Sequence, residues 1–274
     1  MIARLRGNMN YVILSFFAVL ALYPLIGSAA VAFSPQGSVT SGIFPLPSHF
    51  TFSNFSAAWH QASLAGALGN STAIALAVTA AATALSTLAG FAFGTLRLPA
   101  GRIVFYLFLM GLIMPYESMI IPLYFDMRRL DLVDSYWSLI LPETALYLAF
   151  GIFWMRAFFR SLPSELLEAA RIDGASNLTI LRRVLVPVAR PAISTMMVLF
   201  FVFSWNEFLL PLVMLSSSAK QTATLALGVF QGQYDTNVSL QTAAALTVAI
   251  PVIVIYVLFQ RQFIRGMLSG SLKG

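Results

Sequence analysis

Six apolar stretches limit what this chain can become: Tyr11 to Phe33, Leu64 to Leu96, Ile103 to Phe125, Tyr136 to Phe159, Pro191 to Leu215 and Leu240 to Phe259. A helix needs about 20 predominantly apolar residues to cross a bilayer, and it is favoured there because it satisfies its own backbone N–H and C=O groups where no water can. Each stretch reaches that length. Of 274 residues, 59% are hydrophobic and only 9% charged, whereas soluble domains carry roughly 25% charge. The expected fold class is therefore all-α: a polytopic membrane helical bundle, a single domain over 1–274 with six transmembrane helices near 11–33, 64–96, 103–125, 136–159, 191–215 and 240–259. Turn-forming clusters punctuate the connections, among them Pro35-Gln36-Gly37, Pro99-Ala100-Gly101 and Ser216-Ser217-Ser218.

The formal net charge of +6 would suit a nucleic-acid partner if the basic residues formed a patch. They follow the membrane alternation instead. With the N-terminus cytoplasmic, the inner segments carry Arg4, Arg6, Arg97, Arg102, Arg156, Arg160, Arg171, Arg182, Arg183, Arg190, Arg261, Arg265 and Lys273, and only Arg128, Arg129 and Lys220 fall outside. The positive-inside rule then sets both termini in the cytoplasm and accounts for the charge without nucleic acid. Arg4 and Arg6 ahead of an apolar run also suggest a cleaved signal peptide, but the run exceeds the usual 7–15 residues of such a segment and is taken as the first span. With no Cys there is no thiolate metal site or disulfide, and two His, His49 and His60, make a metal centre improbable. No G-x-x-x-x-G-K-[ST] phosphate loop occurs, so no cofactor is expected on this chain.

The second stretch interleaves Ala73, Ala75, Ala77, Ala80, Ala81, Ala82 and Ala84 with Thr79, Thr83, Ser86 and Thr87 and ends in Gly90-Phe-Ala-Phe-Gly94. Small side chains let helix backbones approach closely in lipid, so this helix is expected to be buried among its neighbours, with Gly90 and Gly94 serving either internal packing or a dimer face. Glu117, Glu143 and Glu207 lie in or beside apolar spans, where a carboxylate costs roughly 2.5–3.5 kcal/mol at the helix centre. They must face protein or water. A polar pathway and interhelical hydrogen bonding remain alternatives for Glu117, Glu143 and Glu207; beside Glu207, Trp205 and Asn206 supply the aromatic face and amide that a polyhydroxylated solute would need. Trp205, Asn206, Glu207 and Glu117 are thus the candidate pore-lining residues. Trp154, Phe158 and Phe159 at a span end read as an interfacial aromatic belt.

The longest inner connection, Arg160 to Arg190, reads as two short helices. Ser161 can cap the first, Pro163 suits its first turn, Glu165 and Glu168 favour its N-terminal dipole, and Asp173-Gly174 ends it. Ser176 or Asn177 can start the second, which Pro187 is expected to halt. Leu166, Ala169, Ala170 and Asp173 are spaced to share one face able to enter a cleft. An amphipathic helix lying on the inner leaflet through Leu162, Leu166, Leu167 and Ile172 is the alternative.

Glu168-Ala169-Ala170, Gly174 after three residues and Val184-Leu185-Val186-Pro187 after nine more resemble the EAA signature of the membrane subunits of ABC importers, with Val at its Ile and Leu positions. Ser204-Trp205-Asn206-Glu207-Phe208 and the tail Gln260 to Gly266 followed by Gly270-Ser271-Leu272-Lys273-Gly274 resemble the carbohydrate-importer branch, the maltose type, over the whole chain. The resemblance implies a permease subunit in the bacterial inner membrane, forming half of a pathway for a sugar or a related small polar solute such as a glycerol phosphate. It implies a second permease subunit, an ATP-binding subunit dimer that carries the ATP and Mg, and an extracytoplasmic solute-binding protein. Glu168, Ala169, Ala170, Asp173, Gly174 and Pro187 are then the ATPase-coupling residues. The solute-binding protein would meet Ser34 to Ser63 or Ser216 to Ser239, with Ala219 to Asn237 preferred.

Two other classes compete. An ion-coupled secondary transporter of a small polar solute usually carries paired broken helices and internal repeats, and matching halves are not evident. A membrane-embedded enzyme would need a convergent His, Asp or Ser constellation.

Overall fold

The computed structural model describes residues 2–37, 49–232 and 237–271, with side chains over 10–37, 49–232 and 237–261. Parts of both stretches expected to meet a solute-binding protein, 38–48 and 233–236, and the tail residues 272–274 lie outside the described residues. The described elements are helical. They are α1 (Ile2–Ala32), α2 (Ser53–Gln61), α3 (Leu64–Thr95), α4 (Gly101–Gly111), α5 (Ile120–Arg129), α6 (Trp137–Arg160), α7 (Ser164–Ile172), α8 (Asn177–Asn206), α9 (Leu209–Met214) and α10 (Val238–Ser271). Among the described residues, five helices are long and apolar enough to span a membrane, and α4 with the Tyr116–Arg129 segment makes a sixth if that bent pair is one span.

The chain divides into two compact units, Met1–Ala65 with Ala226–Ile250, and Gly66–Leu225 with Pro251–Gly274. In the first, the buried Asn54 amide donates to Ala32 O and Ser34 O, both at 2.8 Å, satisfying carbonyls that the end of α1 leaves free. Phe33 packs there against Phe52 and Phe55. Along α1 the apolar side chains Tyr11, Leu14, Phe17 and Leu20 are all more than half exposed.

The second unit holds the core. α3 and α6 touch backbone to backbone through Gly90, where a Cβ would lie 2.5 Å from Met155 Cβ, through Gly94 against Phe159, and through Gly151, where it would strike Ser86. Gly90 and Gly94 therefore serve packing within the chain. α6 meets α8 through Tyr147 stacked on Phe200 (5.6 Å, 16°) and through the Trp154 indole N–H, which donates to Ala192 O at 3.1 Å. This corrects the aromatic belt: Trp154 stacks on Phe150, Phe158 packs on the core and Phe159 is 1% exposed against Phe91, so these rings fill helix interfaces.

Proline decides where spans break. The third expected span is not straight but bends by 91° between Gly111 and Tyr116. Pro115 is extended (φ −66°, ψ 114°), it has no N–H for a helical ladder, and a 3-10 turn over Tyr116–Met119 restarts the helix. The fifth breaks too, at Glu207 (ψ 128°), between α8 and α9. Pro211 cannot donate to the carbonyl four residues back, and that carbonyl of Glu207 instead accepts the Thr224 hydroxyl at 2.7 Å. Pro24, Pro142, Pro191 and Pro251 by contrast lie inside helices that continue through them.

Candidate functional site

Two places gather the residues singled out in the sequence. The first is α7. Pro163, extended at ψ 137°, starts the helix after the α6 C-terminus, while the Ser161 hydroxyl turns back to donate to Phe158 O at 2.8 Å, so Ser161 closes α6 instead of capping α7. Glu165 lies in the first turn, where the helix dipole favours a carboxylate. The helix ends in a Schellman motif: Ala175 N–H donates to Ala170 O and Gly174 N–H to Arg171 O, both at 3.0 Å, with Gly174 at φ +74°. A Cβ at Gly174 would meet nothing within 4 Å, so the left-handed backbone alone calls for glycine.

The faces of α7 differ from the sequence expectation. Leu166, Leu167 and Ala170 seat the helix on the core, whereas Glu165, Glu168, Ala169, Ile172 and Asp173 are exposed, Ile172 to 85%. The two alanines therefore do not share a face. At 100° per residue, Ala170 points into the bundle while Ala169 sits in the outward stripe with Glu165, Glu168 and Ile172. Pro187 also departs from its expected role, for the helix that starts after Ser176 is not halted there. The Ser176 hydroxyl accepts Thr179 N–H at 3.3 Å as an N-cap, and α8 then runs unbroken to Asn206. A π-helical segment over Ile180–Leu185 precedes Pro187, and Val186 N–H reaches back five residues to Leu181 O. That wider turn absorbs the proline, whose missing N–H would otherwise break the ladder. Ile180, Leu181 and Leu185 are buried and Arg182 and Arg183 exposed, so α8 is anchored from its first turns.

The second place is where the two broken spans meet. Tyr116, in the 3-10 turn, donates its hydroxyl to Glu207 Oε1 at 3.0 Å, and Glu207 Oε1 also accepts the N–H groups of Leu209 (3.0 Å) and Leu210 (3.1 Å). One carboxylate thus joins the break after α4 to the break after α8 and satisfies two orphan donors of α9. The exposed Glu117 and the half-buried Tyr116 line a cleft of about 430 Å³ together with Tyr147, Phe150, Phe200 and Phe203. Trp205 stands apart from this cleft. It is 2% exposed, stacked on Phe201 at 5.6 Å beside Ala75, and thus belongs to the packing instead of a pore wall. Asn206 is exposed and its amide donates to Val202 O at 2.7 Å. Glu143 is 2% exposed and accepts the Ser204 hydroxyl, an α6–α8 hydrogen bond that fits interhelical packing and not an open pathway. Tyr116 went unnoticed in the sequence, although Pro115 just before it marked the break.

Residues 84–268 match the family described as binding-protein-dependent transport system inner membrane component. The chain belongs to that family. The matched region runs from the close-packed end of α3 through α7 and α8 into α10. Among relatives of this permease, the trehalose transport system permease protein SugB of Mycobacterium tuberculosis is 34% identical over 256 residues, 93% of each chain. The arabinooligosaccharides transport system permease protein AraQ of Halalkalibacterium halodurans is 31% identical, over 95% of this chain and 94% of that one. A crystal structure of a bacterial ABC transporter involved in the import of the acidic polysaccharide alginate contains a chain that superposes with a TM-score of 0.78 at 27% identity, covering 95% of this chain and 97% of the other. This chain is a membrane permease subunit of an ABC importer, and its helical membrane bundle is the fold its relatives share.

Proposed function

We propose that this permease forms half of the translocation pathway for a sugar or a related small polar solute, beside a second permease subunit, and that a separate ATP-binding subunit dimer carries the ATP and Mg and drives it through the 160–190 segment. The observation that carries this reading is the build of α7: its outward stripe of Glu165, Glu168, Ala169 and Ile172 is exposed, while Leu166, Leu167 and Ala170 seat it on the core. Gly174 then turns the chain directly into α8, whose far end reaches Glu207 and the aromatic cleft. A displacement of α7 by the ATPase would be delivered along one continuous helix, anchored at Ile180, Leu181 and Leu185, to the place where the pathway side chains sit. Solute choice is supported by relatives named for trehalose and arabinooligosaccharides and by the mixture of phenol, carboxylate and aromatic faces at the cleft. Cytoplasmic termini in a bacterial inner membrane, with α7 on the same side, are supported by the basic asymmetry of the connections. A solute-binding protein would then meet the opposite side, at Ala219 to Asn237.

Glu168→Lys tests the coupling. The residue is exposed and lies beyond the first helical turn, so charge reversal should leave α7 intact and act on the docked partner alone. Membrane levels of the variant should match the parent, and the ATPase subunit recovered with it should fall several-fold. Full recovery with undiminished transport would remove α7 from the coupling contact.

A further inference from the structure

Where α3 and α6 end and α4 begins, four arginines line one cavity of about 460 Å³: Arg97, Arg102, Arg156 and Arg160. No carboxylate lines it, and the two ion pairs among the described residues, Arg129–Asp126 and Lys220–Asp134, lie elsewhere. Arg156 and Arg160 stand one turn apart on α6, a spacing at which like charges repel. Topological charge needs only flexible cations reaching for water, but Arg156 is clamped. Its Nε–H donates to Phe93 O at 3.2 Å and its guanidinium sits 3.8 Å above the Phe105 ring. Arg102 leans over Tyr106 at 5.8 Å, and the N-terminus of α4, which has no side-chain cap, opens onto the same space. Leading away from the cavity along α4, Ile103, Leu107 and Met110 are 60–66% exposed and spaced to form one apolar stripe.

We infer that this cavity is a binding site for the phosphodiester headgroup of an anionic phospholipid, with its acyl chains along Ile103, Leu107 and Met110. Guanidinium groups match phosphate oxygens in a bidentate fork, and basic pockets between helices at a membrane face suit lipid headgroups. An anion between Arg156 and Arg160 turns their repulsion into shared attraction. The apolar stripe is what distinguishes a lipid from a soluble organic phosphate, which needs only the arginines. Its lining includes no residue of α7 and none of the cleft at Glu117.

The test uses the full-length chain in detergent, titrated with phosphatidylglycerol or phosphatidylcholine, with retained lipid counted by native mass spectrometry. Phosphatidylglycerol should be retained in preference to phosphatidylcholine, and Arg97→Gln with Arg102→Gln should weaken that retention roughly tenfold, as expected for losing charge-assisted hydrogen bonds. Arg97→Lys with Arg102→Lys keeps both charges but loses the fork, and its retention should fall between that of the parent and that of the Gln pair. Arg182→Gln with Arg183→Gln removes equal charge from α8 and should change nothing. Equal loss in the α8 pair, no loss in the Arg97/Arg102 pair, or equal retention of both lipids would overturn the site. Failure of the Lys pair alongside the Gln pair would also overturn it, since damage to the fold would then explain the loss. Displacement of phosphatidylglycerol by stoichiometric soluble glycerol phosphate would assign the cavity to a free organic phosphate and reject the lipid.

Discussion

Single residues in this permease act through backbone geometry and hydrogen-bond accounting more than through net charge. Gly174 holds φ +74° with open space around it, so a substitution there is penalised by conformation alone. Gly174→Val should cost about 1–3 kcal/mol and displace the turn between α7 and α8, whereas Gly174→Asn, whose side chain tolerates the left-handed region, should be milder. ATPase subunit recovered with the permease should rank Gly above Asn above Val at equal membrane levels. Asp134, in the connection before α6, offers a pH-dependent counterpart. Its carboxylate accepts the N–H groups of Ser217 (2.9 Å) and Ser216 (3.0 Å) and pairs with Lys220 at 3.2 Å. Those backbone donors, with Lys220 beside them, hold its pKa below the ordinary carboxylate range. A lowered folded-state pKa means the stabilisation is complete above the unfolded value and is lost as pH falls through the folded one. Protection of the Ser216 and Ser217 amides from hydrogen exchange, taken relative to the intrinsic rate at each pH, should therefore be high at neutral pH and fall only below the usual aspartate range; in Asp134→Ala it should be low throughout.

Elements in the second unit are held by how closely backbones approach. Gly90 admits no Cβ, for one would lie 2.5 Å from Met155 Cβ and 3.0 Å from Arg156 N, and backbone cannot yield as a flexible side chain does. Gly66 and Gly69, earlier on the same helix, have nothing within 4 Å. Gly90→Ala should destabilise by about 1–3 kcal/mol through overpacking, while Gly66→Ala should be neutral or slightly stabilising. Thermal unfolding of the purified variants in detergent separates the two; equal midpoints would mean that α3 and α6 are not pinned at Gly90. Breaks and continuities follow the same logic. α8 passes Pro187 and Pro191 because a π turn and buried Ile180, Leu181 and Leu185 hold it, whereas the chain breaks at Glu207, where a carboxylate and the Thr224 hydroxyl take up the groups that the break releases.

At the scale of the molecule, the spans, the proposed coupling segment over 160–190 and the uneven basic charge bear on one arrangement. If both termini are cytoplasmic, as proposed above, reporter fusions after Gln36, Asp131 and Lys220 should all report from outside, and one after Arg171 from inside. A cytoplasmic signal at Asp131 would mean that the bent pair of α4 and α5 re-enters instead of crossing, leaving five spans. The apolar side chains of α1, exposed on every side of the helix from Tyr11 to Ile26, must meet lipid or a neighbouring subunit.

Periodicity and length by themselves determined that this chain is an α-helical membrane protein, because hydrocarbon permits few other backbones and the apolar stretches announce themselves over about 20 residues. The spacing of Glu168-Ala169-Ala170 and Gly174 likewise pointed to the short helix and its stop, since a left-handed cap selects glycine locally. Only the tertiary structure decided which alanine faces out, because α7 turns its leucines toward a core built from other helices. It also decided the fates of the acidic residues. Glu143 is tied to Ser204, 61 residues further on, and Glu207 to Tyr116, 91 residues before it, and no local pattern encodes contacts at such separations. Adjacency in sequence groups Trp205 with Glu207, but a residue two positions earlier on a helix points some 200° away, and there Trp205 packs with Phe201 and Ala75.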